Sequence, residues 1–218
     1  MDSRATTLYQ VMTLTGTTAG RLAGFSGVGE SQISQFVCGE GDFVQAEFDL
    51  LLACMGFEIR PDRSIVVVQM NRSECRSWLA HRELSAYLTK YPGIDWQSTV
   101  FANIDRLRRG TRGQPHMDNL VRWQRIAEEG GLRDIRQPLV GLDRRAIEMR
   151  EVSPMGGLLP DDLRLRALRP AFDVPVPARN LRVTVAAAEV AVAAGKKSGR
   201  PVNPVVRRVA ELGKVDGW

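Results

Sequence analysis

Apolar residues recur three and four positions apart through the first 59 residues, a spacing that predicts short amphipathic helices. In the first predicted helix, Leu8, Val11 and Met12 lie on one face. Asp42, with Gln45 three residues on, matches a capping box and predicts the start of the fourth helix. The four predicted helices cover residues 4–14, 18–25, 29–38 and a stretch that begins at 42 and ends before 56.

The helix over 29–38 separates apolar from polar residues. Ile33, Phe36 and Val37 lie at i, i+3 and i+4 and form one face. The other face carries Ser31, Ser34 and Gln35, with Gln32 at its edge and Glu30 at the helix start. The major groove of DNA admits a helix, and glutamine can pair with adenine through two hydrogen bonds. The pattern therefore indicates either a base-reading helix or a plain helical hairpin whose polar face meets water.

Several spaced positions in this part of the chain also carry a family resemblance. They are Leu22-Ala23, Gly27-Val28, Ile33-Ser34 and Gly39, followed by a helix that ends in the stretch 51–59. This pattern resembles the lambda-repressor-like (XRE-type) helix-turn-helix family and covers residues 6–59. The resemblance implies a DNA-binding domain that inserts residues 30–38 into the major groove. By position, it implies DNA contacts from Thr18, Glu30, Ser31, Gln32, Ser34 and Gln35.

The same stretch departs from the family pattern at positions that matter for DNA. Ala19 stands where a polar, phosphate-contacting residue is usual, and Gly29 replaces the usual serine cap. Glu40 and Asp42 follow the reading helix where basic residues are common. Residues 1–59 carry a net charge of −5, although phosphate contacts dominate DNA affinity. Basic groups from elsewhere are therefore needed, or the domain binds another partner.

A β-hairpin is predicted immediately after this domain. Two short apolar runs, 57–60 and 65–70, flank a Pro61-Asp62 turn. The hairpin either acts as a wing, with Arg60 and Arg63 contacting phosphates, or simply covers the core. Residues 60–71 are therefore assigned to a hairpin connector.

Residues 72–169 show helical periodicity throughout and predict a second, all-α domain. Residues 74–168 also bear a weaker resemblance to the C-terminal regions of bacterial antitoxin-like helix-turn-helix regulators. The runs that carry it are RSWLAHRELSAYL, a central tryptophan helix and MREVSPMGGLLPDDLR. The resemblance implies a role in binding a partner such as a toxin, and homodimerisation is an alternative for the same domain.

Residues 170–218 begin with a proline-containing linker and continue as an apolar and basic segment. The basic residues of this tail are Lys196, Lys197, Arg200, Arg207 and Arg208. They form either a solvated face or a second contact to nucleic acid or to a partner.

Little in the chain points to catalysis, to a metal or to a membrane. Its two histidines, His81 and His116, lack ligands at metal-binding spacing, and the GKKS run at 195–198 lacks the glycine and the strand of a P-loop. We therefore expect neither an enzyme nor a cofactor or metal site. No apolar run approaches about 18 residues. Because the N-terminus also lacks a signal-peptide core, we expect a cytoplasmic protein that does not bind membranes.

Together these patterns predict a mainly α protein with an N-terminal helix-turn-helix domain (1–59), a short β-hairpin (60–71), a helical domain (72–169) and a basic C-terminal segment (170–218). The leading interpretation is a bacterial DNA-binding transcriptional regulator, an autorepressor of antitoxin type that neutralises a partner toxin. The alternative is an adaptor whose degenerate helix-turn-helix binds protein without binding DNA.

Overall fold

The computed structural model describes residues 3–61, 64–168, 189–190, 192–194, 196–197, 207 and 210. The described helices and strands, in chain order, are α1 (Ser3–Thr15), α2 (Ala19–Ser26), α3 (Glu30–Val37), α4 (Gln45–Ala53), β1 (Phe57–Ile59), β2 (Ile65–Val67), α5 (Arg72–Lys90), α6 (Trp96–Gly110), α7 (Gln114–Glu129), α8 (Arg136–Val140), α9 (Arg144–Glu151) and α10 (Asp161–Leu168). The fold is mainly α-helical with one short hairpin, which confirms the predicted class. None of the described helices is both long enough and apolar enough to cross a lipid bilayer.

The chain divides into two compact units. The first unit contains residues 1–19, 30–68 and 175–218, and the second contains 20–29 and 69–174. Nearly all of α2 therefore belongs to the second unit, whereas α3 belongs to the first. The sequence pattern alone assigns α2 to the N-terminal domain with α1 and α3. Local periodicity does not show which residues later in the chain contact α2.

Aromatic packing holds the first unit together around α3 and α4. The ring centroid of Phe36 lies 4.8 Å from that of Phe43 and 5.9 Å from that of Phe48. Other buried side chains of this unit are Leu8, Val11, Ile33, Leu51 and Leu52. Burying one such side chain contributes about 1.5–3 kcal/mol. Helix α3 has only 8 residues, so tertiary packing rather than intrinsic helix propensity stabilises it.

The fourth helix begins later than the capping-box pattern predicts, so that prediction was wrong. Helix α4 starts at Gln45, and Val44 at its N-cap makes no side-chain cap. Asp42 instead accepts a 2.8 Å hydrogen bond from the backbone N–H of Phe43 and another from the guanidinium of Arg4. Because Arg4 also donates to the carbonyl oxygen of Phe43 at 3.0 Å, the Asp42 carboxylate is committed to α1 and is not available to cap α4.

The predicted hairpin is confirmed, with shorter strands. Strands β1 and β2 pair antiparallel, with Phe57 opposite Val67 and Ile59 opposite Ile65. Phe57 and Val66 are buried. The hairpin therefore contributes apolar side chains to the first unit.

Helix α5 is the long element of the second unit, and it contacts α8, α9 and α10. A complete capping box starts it. The Asn71 side chain accepts from the Glu74 N–H at 2.9 Å, and the Glu74 carboxylate accepts from the Asn71 N–H at 2.8 Å. Two buried indoles then connect helices through backbone carbonyls. Trp78 donates to Val140 at 3.1 Å, and Trp123 donates to Met149 at 2.9 Å.

Candidate nucleic-acid interface

Helix α3 presents the polar face that its sequence predicts. Ile33 and Phe36 are buried. The residues between and around them are exposed, namely Glu30, Ser31, Gln32, Ser34 and Gln35. Hydroxyl and amide groups on an exposed helix face can contact base edges in a groove. The geometry thus places the predicted reading residues of α3 on one accessible surface.

Two further features lie on the N-terminal side of α3. Thr18 is exposed immediately before α2. Helix α2 ends at Ser26, and Gly27 follows with φ +71°, a backbone conformation that favours glycine. The Ser26 hydroxyl donates to the carbonyl of Leu22 at 2.7 Å and accepts from the Val28 N–H at 3.2 Å. The turn between α2 and α3 is therefore defined by local hydrogen bonds and by one glycine.

Helix α2 is fixed by contacts within the second unit. The hydroxyl of Thr89 donates to the carbonyl of Gly24 at 2.8 Å, and the Arg136 guanidinium donates to that hydroxyl at 3.0 Å. The Arg82 guanidinium lies over the ring of Phe25, 4.6 Å from its centroid. The position of α2 is thus set by side chains that lie more than 50 residues further along the chain.

The electrostatics around α3 remain acidic. Glu30, Glu40 and Asp42 are exposed. The ion pair between Arg4 and Asp42 offsets one of these charges. This pairing reduces the repulsion that Asp42 would exert on a phosphate, while the carboxylates of Glu30 and Glu40 remain. Glutamate can itself accept a hydrogen bond from the amino group of cytosine, so Glu30 is compatible with base reading.

The predicted cationic groups are only partly within the described residues. Arg60 is exposed at the end of β1, and its backbone N–H donates to the carbonyl of Ser64 at 2.9 Å. Arg63 lies outside the described residues. In the tail, Lys196, Lys197 and Arg207 are exposed, whereas Arg200 and Arg208 lie outside the described residues. Lys196, Lys197 and Arg207 are grouped with the first unit, which also contains α3.

The second unit contains a polar cluster that no sequence motif indicates. The His81 ring lies between two partners, with Nδ1 2.7 Å from the carbonyl oxygen of Ser77 and Nε2 2.7 Å from the hydroxyl of Ser153. Since the carbonyl can only accept, Nδ1 carries the proton and Nε2 accepts from Ser153. His81 and Ser153 are 72 positions apart, so no local motif could reveal the pair.

This serine–histidine pair is poorly suited to nucleophilic catalysis. Burial lowers the pKa of His81 to about 4, and the nearby Arg150 charge lowers it further in the same direction. Protonating such an imidazole at pH 7 costs about 4 kcal/mol, and an efficient general base has a pKa near the working pH. Among the described residues, no group of three or more histidine, cysteine, aspartate or glutamate side chains could hold a metal ion.

Comparison of the chain with protein-family models, with curated proteins and with solved structures found no match. The resemblance to XRE-type regulators therefore remains a prediction.

Proposed function

We propose that this protein is a sequence-specific DNA-binding transcriptional regulator that acts in the cytoplasm. Helix α3 is the reading element in this proposal. The observation that carries it is the separation on α3 between buried Ile33 and Phe36 and an exposed face of hydroxyl and amide groups. A short helix anchored by one face and polar on the other has the form of a major-groove reader.

The residues of α3 have distinct roles in this proposal. Gln35 pairs with an adenine, Ser31 and Ser34 contact neighbouring base edges, and Glu30 accepts from a cytosine amino group. Gln32 and Thr18 are close to these residues in sequence, and in this proposal they contact the sugar-phosphate backbone of the DNA. Arg60, Arg63 and the basic tail supply the charge that binds phosphates.

The proposal extends to the second unit as a partner-binding domain. In this scheme the protein is an autorepressor of antitoxin type, and the second unit binds and neutralises a toxin. The support is the weaker resemblance over 74–168. Bacteria that express the partner toxin should regain growth when they also express a form of this protein in which residues 69–168 are intact.

A second candidate function is favoured by the charge around α3. Exposed Glu30 and Glu40 repel phosphates, and Arg60 is the one basic side chain among the described residues 30–61. These features suit an adaptor that binds a protein surface through α3. The adaptor and the regulator make opposite predictions for salt-dependent DNA binding.

A direct test measures binding of the full chain to the DNA upstream of its own gene by fluorescence anisotropy. Gln35→Ala should weaken specific binding by about 5- to 150-fold, equivalent to about 1–3 kcal/mol, with little effect on non-specific DNA. Gln69→Ala is the matched control, because Gln69 is an exposed glutamine outside α3. If Gln35→Ala leaves specific binding unchanged, Gln35 reads no base.

A further inference from the structure

Four arginines cluster where helices α6 and α7 of the second unit meet. The two helices contact each other, and the Arg108 guanidinium of α6 donates to the side-chain oxygen of Gln124 in α7. Arg109 and Arg112 follow Arg108 within four positions of the chain, and Arg125 follows Gln124 directly. The last three arginines are exposed, and Arg108 is half-buried. We call these four arginines the α6–α7 cluster.

The positive charge of the α6–α7 cluster is not neutralised within the described residues. None of its four arginines forms an ion pair with a described carboxylate. Arg108 contacts the amide of Gln124, and the neighbouring Arg106 donates to the amide oxygen of Asn103 at 2.8 Å. An amide oxygen accepts a hydrogen bond without carrying a compensating charge. The cluster therefore keeps its charge for a partner.

Other exposed arginines of the second unit are paired within their own helices. Arg144 contacts Glu148 in α9 at 2.8 Å, and Arg166 contacts Asp162 in α10 at 2.6 Å. Both pairs have the i, i+4 spacing that brings side chains together on a helix. The absence of such pairs in the α6–α7 cluster is therefore a local feature and not a property of every arginine in the unit.

The carboxylates of the same two helices favour a protein over a nucleic acid as the partner. Asp105 is exposed on α6. On α7, Asp118 accepts from Gln114 at 2.8 Å, and Glu128 accepts from Gln124 at 2.6 Å. A phosphate backbone on this hairpin would meet these carboxylates as well as the arginines. A protein segment can instead place neutral or basic side chains beside them.

Apolar side chains on α7 also favour a protein partner. Val121 is 48% exposed. It lies four positions before Arg125, so the two side chains are neighbours on the helix surface. Met117, four positions before Val121, is half-buried. Protein interfaces combine arginine and methionine with apolar contact area, whereas phosphate contacts use charge and hydrogen bonds alone.

We propose that the α6–α7 cluster binds an acidic amphipathic segment of a protein partner. Carboxylates of the segment pair with the four arginines, and an apolar side chain of the segment packs on Val121. Because Gln124 already holds Arg108, this arginine loses less side-chain entropy on binding. The proposal rests on the proposed role of the second unit in partner binding, and it names the chemistry of that partner.

The test uses the full chain and a fluorescein-labelled peptide of about 18 glutamate, leucine and alanine residues, arranged as an amphipathic helix. Fluorescence anisotropy should show saturable binding that weakens as the salt concentration rises. A peptide with lysine at every glutamate position should not bind. A peptide with serine at every leucine position should bind at least about fivefold more weakly, because it has no apolar face.

Two double variants with the same change in charge locate the binding. Arg109→Ala combined with Arg112→Ala should weaken peptide binding at least about fivefold. Arg133→Ala combined with Arg145→Ala removes two charges at exposed positions elsewhere in the second unit and should have less than half that effect. All four side chains are exposed, so both variants should fold, which circular dichroism verifies.

The apolar contact has its own variant. Val121→Thr keeps the shape of the side chain and replaces a methyl group with a hydroxyl. It should weaken binding of the leucine peptide about threefold and leave binding of the serine peptide unchanged. Val44→Thr makes the same change at an exposed position of the first unit and is the control.

Duplex DNA of unrelated sequence separates the two kinds of partner. Arg109→Ala with Arg112→Ala should leave DNA binding unchanged. Equal losses of DNA and peptide binding would overturn the proposal and assign the α6–α7 cluster to nucleic acid. The proposal is also wrong if the glutamate peptide does not bind, if the lysine peptide binds equally well, or if the two double variants have equal effects.

The growth experiment with the toxin keeps this proposal separate from the proposed function. If the full chain restores growth but fails the peptide test, the second unit binds its partner through another surface and only the α6–α7 proposal falls. If the chain binds the peptide but does not restore growth, the toxin is not the partner and the acidic segment belongs to another protein.

Discussion

The hydroxyl of Ser85 donates a hydrogen bond of 2.6 Å to the carbonyl oxygen of Phe25 in the last turn of α2. Carbonyl groups in the last turn of a helix have no partner within that helix. Thr89, one turn further along α5, donates a hydrogen bond to the carbonyl oxygen of Gly24. The carbonyl groups at the C-terminal end of α2 therefore receive hydrogen bonds from hydroxyl groups of α5.

We expect Ser85→Ala to lower the free energy of unfolding by about 1–3 kcal/mol, because Ser85 is buried and the Phe25 carbonyl would lose this donor. Urea unfolding followed by circular dichroism would measure the change. Ser73→Ala, at an exposed position on the same helix, is the control and should change stability by less than about 0.5 kcal/mol. Equal effects of the two variants would contradict this role of Ser85.

Gly27→Ala should destabilise the protein for two reasons. The φ of +71° costs about 1–2 kcal/mol for a residue with a Cβ. An ideal Cβ would also lie 1.9 Å from Cζ of Arg136, so that side chain would have to move. Gly93→Ala is the matched control, because no heavy atom lies within 4 Å of its Cβ position. A thermal midpoint for Gly27→Ala equal to that for Gly93→Ala would rule out both effects.

Stability should depend on pH through His81. Burial lowers its pKa from the ordinary value of 6.5 to about 4 in the folded protein. Above pH 6.5 this histidine is neutral in both the folded and the unfolded chain. As the pH falls from 6.5 to 4, only the unfolded chain takes up the proton, so stability decreases by up to about 3 kcal/mol.

The His81→Gln variant isolates this contribution from that of the carboxylates. The difference in free energy of unfolding between the native protein and His81→Gln should change by up to about 1.4 kcal/mol per pH unit between pH 6.5 and 4. It should be constant above pH 6.5. A difference that is constant over the whole range would mean that folding does not lower the pKa of His81.

The source of positive charge can be tested through salt dependence. Deleting residues 171–218 should weaken DNA binding and reduce the slope of log K against log salt concentration by about 0.9 for each lost phosphate contact. Arg60→Ala combined with Arg63→Ala should have a smaller effect in the same direction. Arg109→Ala, at an exposed position of α6, is the control. An unchanged slope after the deletion would assign the tail to a protein partner, and absence of salt-dependent binding by the full chain would favour the adaptor.

The sequence alone determined the elements whose residues interact with near neighbours in the chain. The spacing of Ile33 and Phe36 defines α3 and its exposed face, because a helix with 3.6 residues per turn places such positions together. The apolar runs on either side of Pro61-Asp62 define the hairpin in the same way. The polar surface of α3, and with it the DNA-reading hypothesis, therefore follows from local periodicity.

Tertiary structure decided the features that depend on partners far away in the chain. Asp42 matched a cap motif, yet Arg4, 38 positions earlier, takes its carboxylate. The Phe25 carbonyl at the end of α2 accepts a hydrogen bond from Ser85, 60 positions later. Arg150 and His81 come together at one cavity only because α5 and α9 pack against each other. A hydrogen bond or a buried charge depends on distances of a few ångströms, and no sequence periodicity specifies which distant residues come that close.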